Sequence, residues 1–119
     1  MAWRLIALAL CAAVSAGAAA AAPPSAGPCF WVHGRLFAAN GAPTFRIWRI
    51  GSKRILGVGG GDDPALPAPV RALTRPDAFK VDVYGDFRAC PLTPDRLGRM
   101  QMVRIKAARQ LVARPRRPD

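Results

Sequence analysis

Two segments of the chain carry the same alternating pattern, and each is flanked by a cysteine. Val32-His33-Gly34-Arg35-Leu36 matches Val83-Tyr84-Gly85-Asp86-Phe87, with Cys29 on the N-terminal side of the first and Cys90 on the C-terminal side of the second. Alternation of apolar and polar residues is the mark of a strand with one face on a core and the other in solvent. An antiparallel pairing that sets Gly34 opposite Gly85 places Val32 against Phe87 and Leu36 against Val83 on the core face. The other face then pairs Trp31 with Arg88 and His33 with Asp86. In the same register Cys29 faces Cys90, and cross-strand cysteines in a narrow antiparallel pair lie within disulfide reach.

The N-terminus decides which chemistry those cysteines have. Arg4 is the only charge before Arg35, the run from Leu5 to Val14 is apolar, and Ser15 to Ala22 is almost entirely alanine and glycine. This is the layout of a secretory signal peptide over residues 1–22, with cleavage expected near Ala20 because Pro23 and Pro24 disfavour a later cut. Half of those residues are alanine, too weakly apolar for a span of about 20 residues, so no transmembrane segment is expected after cleavage. Cys11 leaves with the signal; Leu10 stands where a lipobox needs Gly or Ala. Export to the periplasm or medium makes a Cys29–Cys90 disulfide the first reading of the two remaining thiols. With a single histidine, His33, and no Cys-x-x-Cys spacing, they fall short of a zinc site, so no metal and no cofactor are expected.

Removing Arg4 with the signal leaves 17 basic and 7 acidic residues, a formal charge of +10 before the termini are counted. The full chain has 15 Arg to 3 Lys, and it has no glutamate. Such a field favours anionic partners: envelope polysaccharide, lipid headgroups, nucleic acid or an acidic protein. The same arginines are also what a GC-rich genome writes on solvated surfaces, with no ligand implied.

Strand-like segments and turns run through the rest of the chain. Residues 23–28 read as a flexible leader. Strands are expected over Cys29 to Ala39, Thr44 to Ile50 and Arg54 to Val58, a three-strand meander in which Asn40-Gly41 marks a tight hairpin turn. Residues 59–77, with prolines at 64, 67, 69 and 76, predict a long loop or crossover containing at most a short extended piece at Val70 to Leu73. Phe79 to Cys90 is the cleanest strand, Gln101 to Lys106 a further one, and Ala107 to Ala113 a last strand or a helical turn. Residues 114–119 predict a disordered basic tail.

Catalytic parts are scarce. A carboxylate orienting an imidazole, as Asp86 would orient His33, is half of a triad, but no activated nucleophile accompanies it. Ser52 lies in a turn, Asp62 and Asp63 lack the spacing of a calcium loop, and no phosphate-binding Gly-Lys-Ser or Gly-Lys-Thr occurs. No catalytic residue is assigned, and a small hydrolase using His33 and Asp86 stays a minor alternative. Trp31, Phe37, Trp48 and Tyr84 are instead interleaved with Arg35, Arg46, Arg49, Arg54 and Arg88. Aromatic faces beside guanidinium groups hold sugars, bases and phosphates. The plainer account places the aromatics in the core and the arginines on its rim.

Cys29-Phe-Trp-Val-His-Gly-Arg-Leu, Asn40-Gly-Ala-Pro-Thr-Phe-Arg-Ile-Trp, Arg54-Ile-Leu-Gly-Val, Val83-Tyr-Gly-Asp-Phe-Arg-Ala-Cys-Pro-Leu and Gln101-Met-Val-Arg-Ile together resemble small exported alphaproteobacterial proteins of unknown function. The Gly-Arg-Leu strand followed by Asn-Gly-x-Pro is also similar to the opening of transthyretin-like and carboxypeptidase-regulatory β-sandwiches. The first resemblance implies no activity, and the second implies a sandwich and no site.

The expected object is an all-β domain over residues 29–113, an antiparallel sandwich or partly open barrel of about six or seven short strands. Its expected role is non-enzymatic, binding an anionic envelope component or a protein through Trp31, Arg35, Arg46, Trp48, Arg49, Arg54, Tyr84 and Arg88. An oligonucleotide-binding-type barrel for single-stranded nucleic acid and a purely structural envelope domain are the alternatives. Export weighs against nucleic acid.

Overall fold

The computed structural model describes residues 26–60 and 65–117. The expected signal peptide, with Cys11, the first half of the expected leader, and Asp62 and Asp63 lie outside the described residues. Five strands form one closed barrel: β1 (Phe30–Ala38), β2 (Phe45–Arg49), β3 (Ile55–Val58), β4 (Val81–Pro91) and β5 (Met102–Pro115), in the order β1-β2-β3-β5-β4. Every neighbouring pair is antiparallel except β3 with β5, which run parallel.

The seam between β1 and β4 has the register the sequence dictates: Gly34 opposite Gly85, Val32 opposite Phe87, Leu36 opposite Val83, Trp31 opposite Arg88 and His33 opposite Asp86. One step beyond the Phe30 and Ala89 pair, Cys29 and Cys90 are joined by a disulfide across a Cα separation of 4.1 Å. The inward residues Val32, Leu36, Ile47, Leu56, Val83, Phe87 and Val103 are buried and form one core. Gly34 belongs to this inward row because the walls crowd there. A Cβ on it would stand 2.5 Å from Ile47 Cγ2 and 2.9 Å from the Trp48 carbonyl oxygen.

Several segments differ from the sequence expectation. The barrel has five strands among the described residues rather than six or seven, because Met102–Pro115 is one strand of 14 residues. Ala107 to Ala113 is ambiguous in sequence because a register shift between the Tyr84 and Asp86 positions of β4 interrupts its alternation, and a second shift, between Arg88 and Ala89, falls at Lys106 just before it. At the first shift Gln110, with φ +54°, and Leu111 together oppose Gly85. The bulge bends a long strand around the barrel. A glycine suits the position opposite, since a Cβ on Gly85 would lie 2.6 Å from Leu111 Cδ2 and 3.0 Å from the Arg109 carbonyl oxygen.

Arg114 to Arg117 are not a disordered tail. Arg114 and Pro115 pair with Asp82 and Val81, and the Arg116 N–H donates to the Lys80 carbonyl at 2.9 Å. Proline was tolerable there because Pro115 sits at the last position of the strand.

The expected loop over 59–77 contains no extended piece at Val70 to Leu73. A helix, α1 (Ala68–Thr74), occupies it, followed by a single 3-10 turn at Ala78–Lys80. Leu66, Val70 and Leu73 recur at helical spacing and face the core, with Val70 fully buried. Pro69 falls in the first turn, where its missing N–H costs nothing, and Pro76 ends the segment. Nor does Asn40-Gly41 make a two-residue hairpin. Residues 39–44 form a wider loop, closed by Arg46, whose Nε donates to the Pro43 carbonyl at 3.1 Å.

The closed loop of the disulfide spans 61 residues, so its loss removes about 4 kcal/mol in the loop-entropy treatment. Denaturant unfolding of a Cys29→Ser, Cys90→Ser variant should show a deficit near that size. Gly34→Ala should cost about 1–3 kcal/mol by the same measurement, since the Trp48 backbone cannot withdraw without opening the barrel.

Candidate functional site

The outward residues of β1 are Trp31, His33, Arg35 and Phe37, and the pairing places a row of side chains across each. Arg88 of β4 neighbours Trp31, and Asp86 neighbours His33. Arg35 stands between Tyr84 of β4 and Trp48 of β2, and Phe37 stands beside Arg46. Four rows at two-residue spacing make a track about 20 Å long on the barrel wall.

Guanidinium groups lie over the rings of this track. Arg35 Cζ is 4.9 Å from the Phe37 centroid and 5.4 Å from that of Trp48. Arg109, from β5, lies 4.0 Å over Trp31. Each ring is attracted to the cation through its negative π face, and the cation keeps its N–H edge for another partner. Trp48 is half-buried, with its indole N–H donating to the Ser52 carbonyl at 2.7 Å, whereas Trp31 is exposed. Phe37 is buried beneath the Arg35 and Arg116 guanidiniums.

His33 and Asp86 meet as the register requires, with Nδ1 2.9 Å from Oδ1. The other carboxylate oxygen of Asp86 lies 3.6 Å from Arg109 Nε. Asp86 therefore anchors both an imidazole and the arginine that covers Trp31. Among the described residues no hydroxyl or thiol hydrogen-bonds the imidazole, and no group of three His, Cys, Asp or Glu side chains is placed to hold a metal.

Six of the eight residues singled out from the sequence share this outer wall: Trp31, Arg35, Arg46, Trp48, Tyr84 and Arg88. Arg49 and Arg54 do not. Arg49 is opposite Gly34, in the inward row, and both arginines emerge at one end of the barrel beside Phe30, Leu56 and Gln101. Arg54 there forms an ion pair with Asp95. Arg46 belongs to the wall but its Nε holds the preceding loop.

Arg109, Asp82, Arg114, Arg116 and Arg117 were not read as site residues. Arg109 was hidden by the bulge, which breaks the alternation that would have assigned it to the outer face. The last three were hidden by the prolines among them, which imitate a tail. A scan against protein-family models and searches of curated proteins and of solved structures found no match to this chain.

The two tryptophans of the barrel are structurally unequal. Trp31→Ala should change stability by less than about 0.5 kcal/mol, as at other exposed positions. Trp48→Ala should cost about 2 kcal/mol, less than a fully buried aromatic. Urea unfolding monitored by far-UV circular dichroism separates the two.

Proposed function

We propose that this chain is an exported, non-enzymatic module that binds an anionic polymer of the cell envelope along the outer wall formed by β1, β2, β4 and the Arg109 stretch of β5. The observation that carries the reading is the stacking of arginines on the aromatic rings of that wall. Guanidiniums held over rings present N–H forks to carboxylate or phosphate and lose less freedom on binding than unrestrained ones. Asp86 adds to this by holding Arg109 over Trp31. The formal charge of +10 without Arg4 supplies long-range attraction to such a polymer.

A periplasmic or secreted location is part of the proposal. The Cys29–Cys90 disulfide is compatible with it. Among the described residues no helix is long and apolar enough to cross a membrane.

Single-stranded nucleic acid is the second reading, and the strand order of the barrel favours it. Against it stands the covering of Trp31 and Trp48 by arginines, because base stacking needs an open ring face.

Binding of lipopolysaccharide, anionic lipid vesicles, single-stranded DNA and a neutral glycan, each titrated over a range of salt, decides between them. The expected result is salt-sensitive binding to the envelope polyanion and none to the neutral glycan. Arg88→Gln with Arg109→Gln should weaken it about tenfold. Tighter binding to DNA would favour the second reading, and uniform failure to bind would leave a protein partner or a structural role. Intact-mass analysis of protein recovered from an expressing cell should show about the first 20 residues removed and no free thiol.

A further inference from the structure

Beside the Arg35 and Tyr84 end of the wall lies a cleft of about 480 Å³ lined by Arg35, Asp82, Tyr84, Arg114, Arg116 and Arg117. Its volume is within the range of small-molecule sites, about 300–1,000 Å³. Four arginines and one aspartate are among its lining residues, which makes it strongly cationic. Arg116 is fixed at its edge, with one terminal nitrogen donating to the Ala38 carbonyl at 2.5 Å. Two groups in the cleft are unmet. Asp82 is 8% exposed, forms no ion pair among the described residues, and its Oδ1 is buried without a hydrogen-bond partner. Arg35 Nε is likewise buried and unpartnered.

A buried unsatisfied donor and a buried unsatisfied acceptor are each costly, and in the lining of a cleft a bound molecule is one means of supplying their partners. Arg35 Nε–H asks for an acceptor, and the surrounding arginines favour a charged one. Asp82 Oδ1 asks for a donor. A fully ionised inorganic anion such as sulfate answers the first demand and is repelled by the second. We infer that the cleft is a site for an acidic sugar unit, whose phosphate or carboxylate group is held by the arginines and whose neighbouring hydroxyl donates to Asp82. The inference rests on the anionic-polymer reading and narrows it, making the cleft the place where one sugar of the polymer is recognised. Arg114 opposes Asp82 across the β4–β5 pair, so the residues serving the anion and the hydroxyl are fixed in register by the barrel itself.

Isothermal titration of the purified protein with glucose 6-phosphate, glucuronate, sulfate and glucose tests this. The acidic sugars should bind at least about tenfold more tightly than sulfate or glucose, and the tighter of the two identifies phosphate or carboxylate as the anion. Arg114→Gln with Arg117→Gln, both at exposed positions, should reduce the acidic-sugar affinity about tenfold. Asp82→Ala, which removes the acceptor, should abolish the preference for acidic sugar over sulfate. Sulfate binding as well as both sugars, or an affinity indifferent to the arginine pair, overturns the inference. If Asp82→Ala does not fold, the arginine pair and the ligand series still decide it. Polymer binding without acidic-sugar binding refutes the cleft and leaves the anionic-polymer reading. Acidic-sugar binding without polymer binding does the opposite.

Discussion

The antiparallel seam between β1 and β4 is the constraint on which the rest of the molecule depends. Its register is fixed three ways: by the match of apolar residues on the inner face, by Gly34 against Gly85, and by the Cys29–Cys90 bridge at its end. A slip of one residue would turn Val32, Leu36, Val83 and Phe87 to solvent and break the cysteine pairing at once. Because β1 and β4 stand at the two ends of the strand order, joining them closes the sheet and leaves no unpaired edge.

The glycines at the centre of that seam solve a packing problem created by closure. A small barrel cannot bend every strand smoothly, and a side chain at Gly34 would collide with the neighbouring β2 wall. At Gly85 the same absence of a side chain accommodates the bulge at Gln110 and Leu111. The bulge carries β5 around the barrel and brings Arg109 onto Trp31 and Asp86. Backbone closure and the chemistry of the outer wall are therefore linked: the features that let the sheet curve also set the arginines on the rings.

The outer wall divides into two parts with different physical character. Around Trp31 the cations are exposed, and the ion pairs there are worth little to stability, so the arrangement is free to exchange partners. Around Arg35 and Asp82 the groups are buried, and their unmet hydrogen-bonding capacity is expensive to the folded state. In the reading proposed above, the first part gathers a polyanion and the second discriminates among its units.

How far these features were legible follows from the range of the interactions involved. Alternation, paired glycines and paired cysteines are local signals repeated in two places, and they determined the all-β class, the β1–β4 register and the disulfide by themselves. The β1-β2-β3 meander was legible for the same reason. The helix at Ala68–Thr74 was not, because seven residues among prolines carry too little periodicity, although Leu66, Val70 and Leu73 have helical spacing. The fate of residues 107–117 was decided only in three dimensions. Their alternation is interrupted by bulges, and what makes them a strand is the free edge of β4 that they cover. The sequence thus determined which residues face outward on β1, β2 and β4, since side-chain period is intrinsic to a strand. Closure of the barrel decided which of them meet: it carried Arg49 and Arg54 away to one end and gathered Arg114, Arg116 and Arg117 around Asp82, contacts that span most of the chain and leave no trace in local spacing.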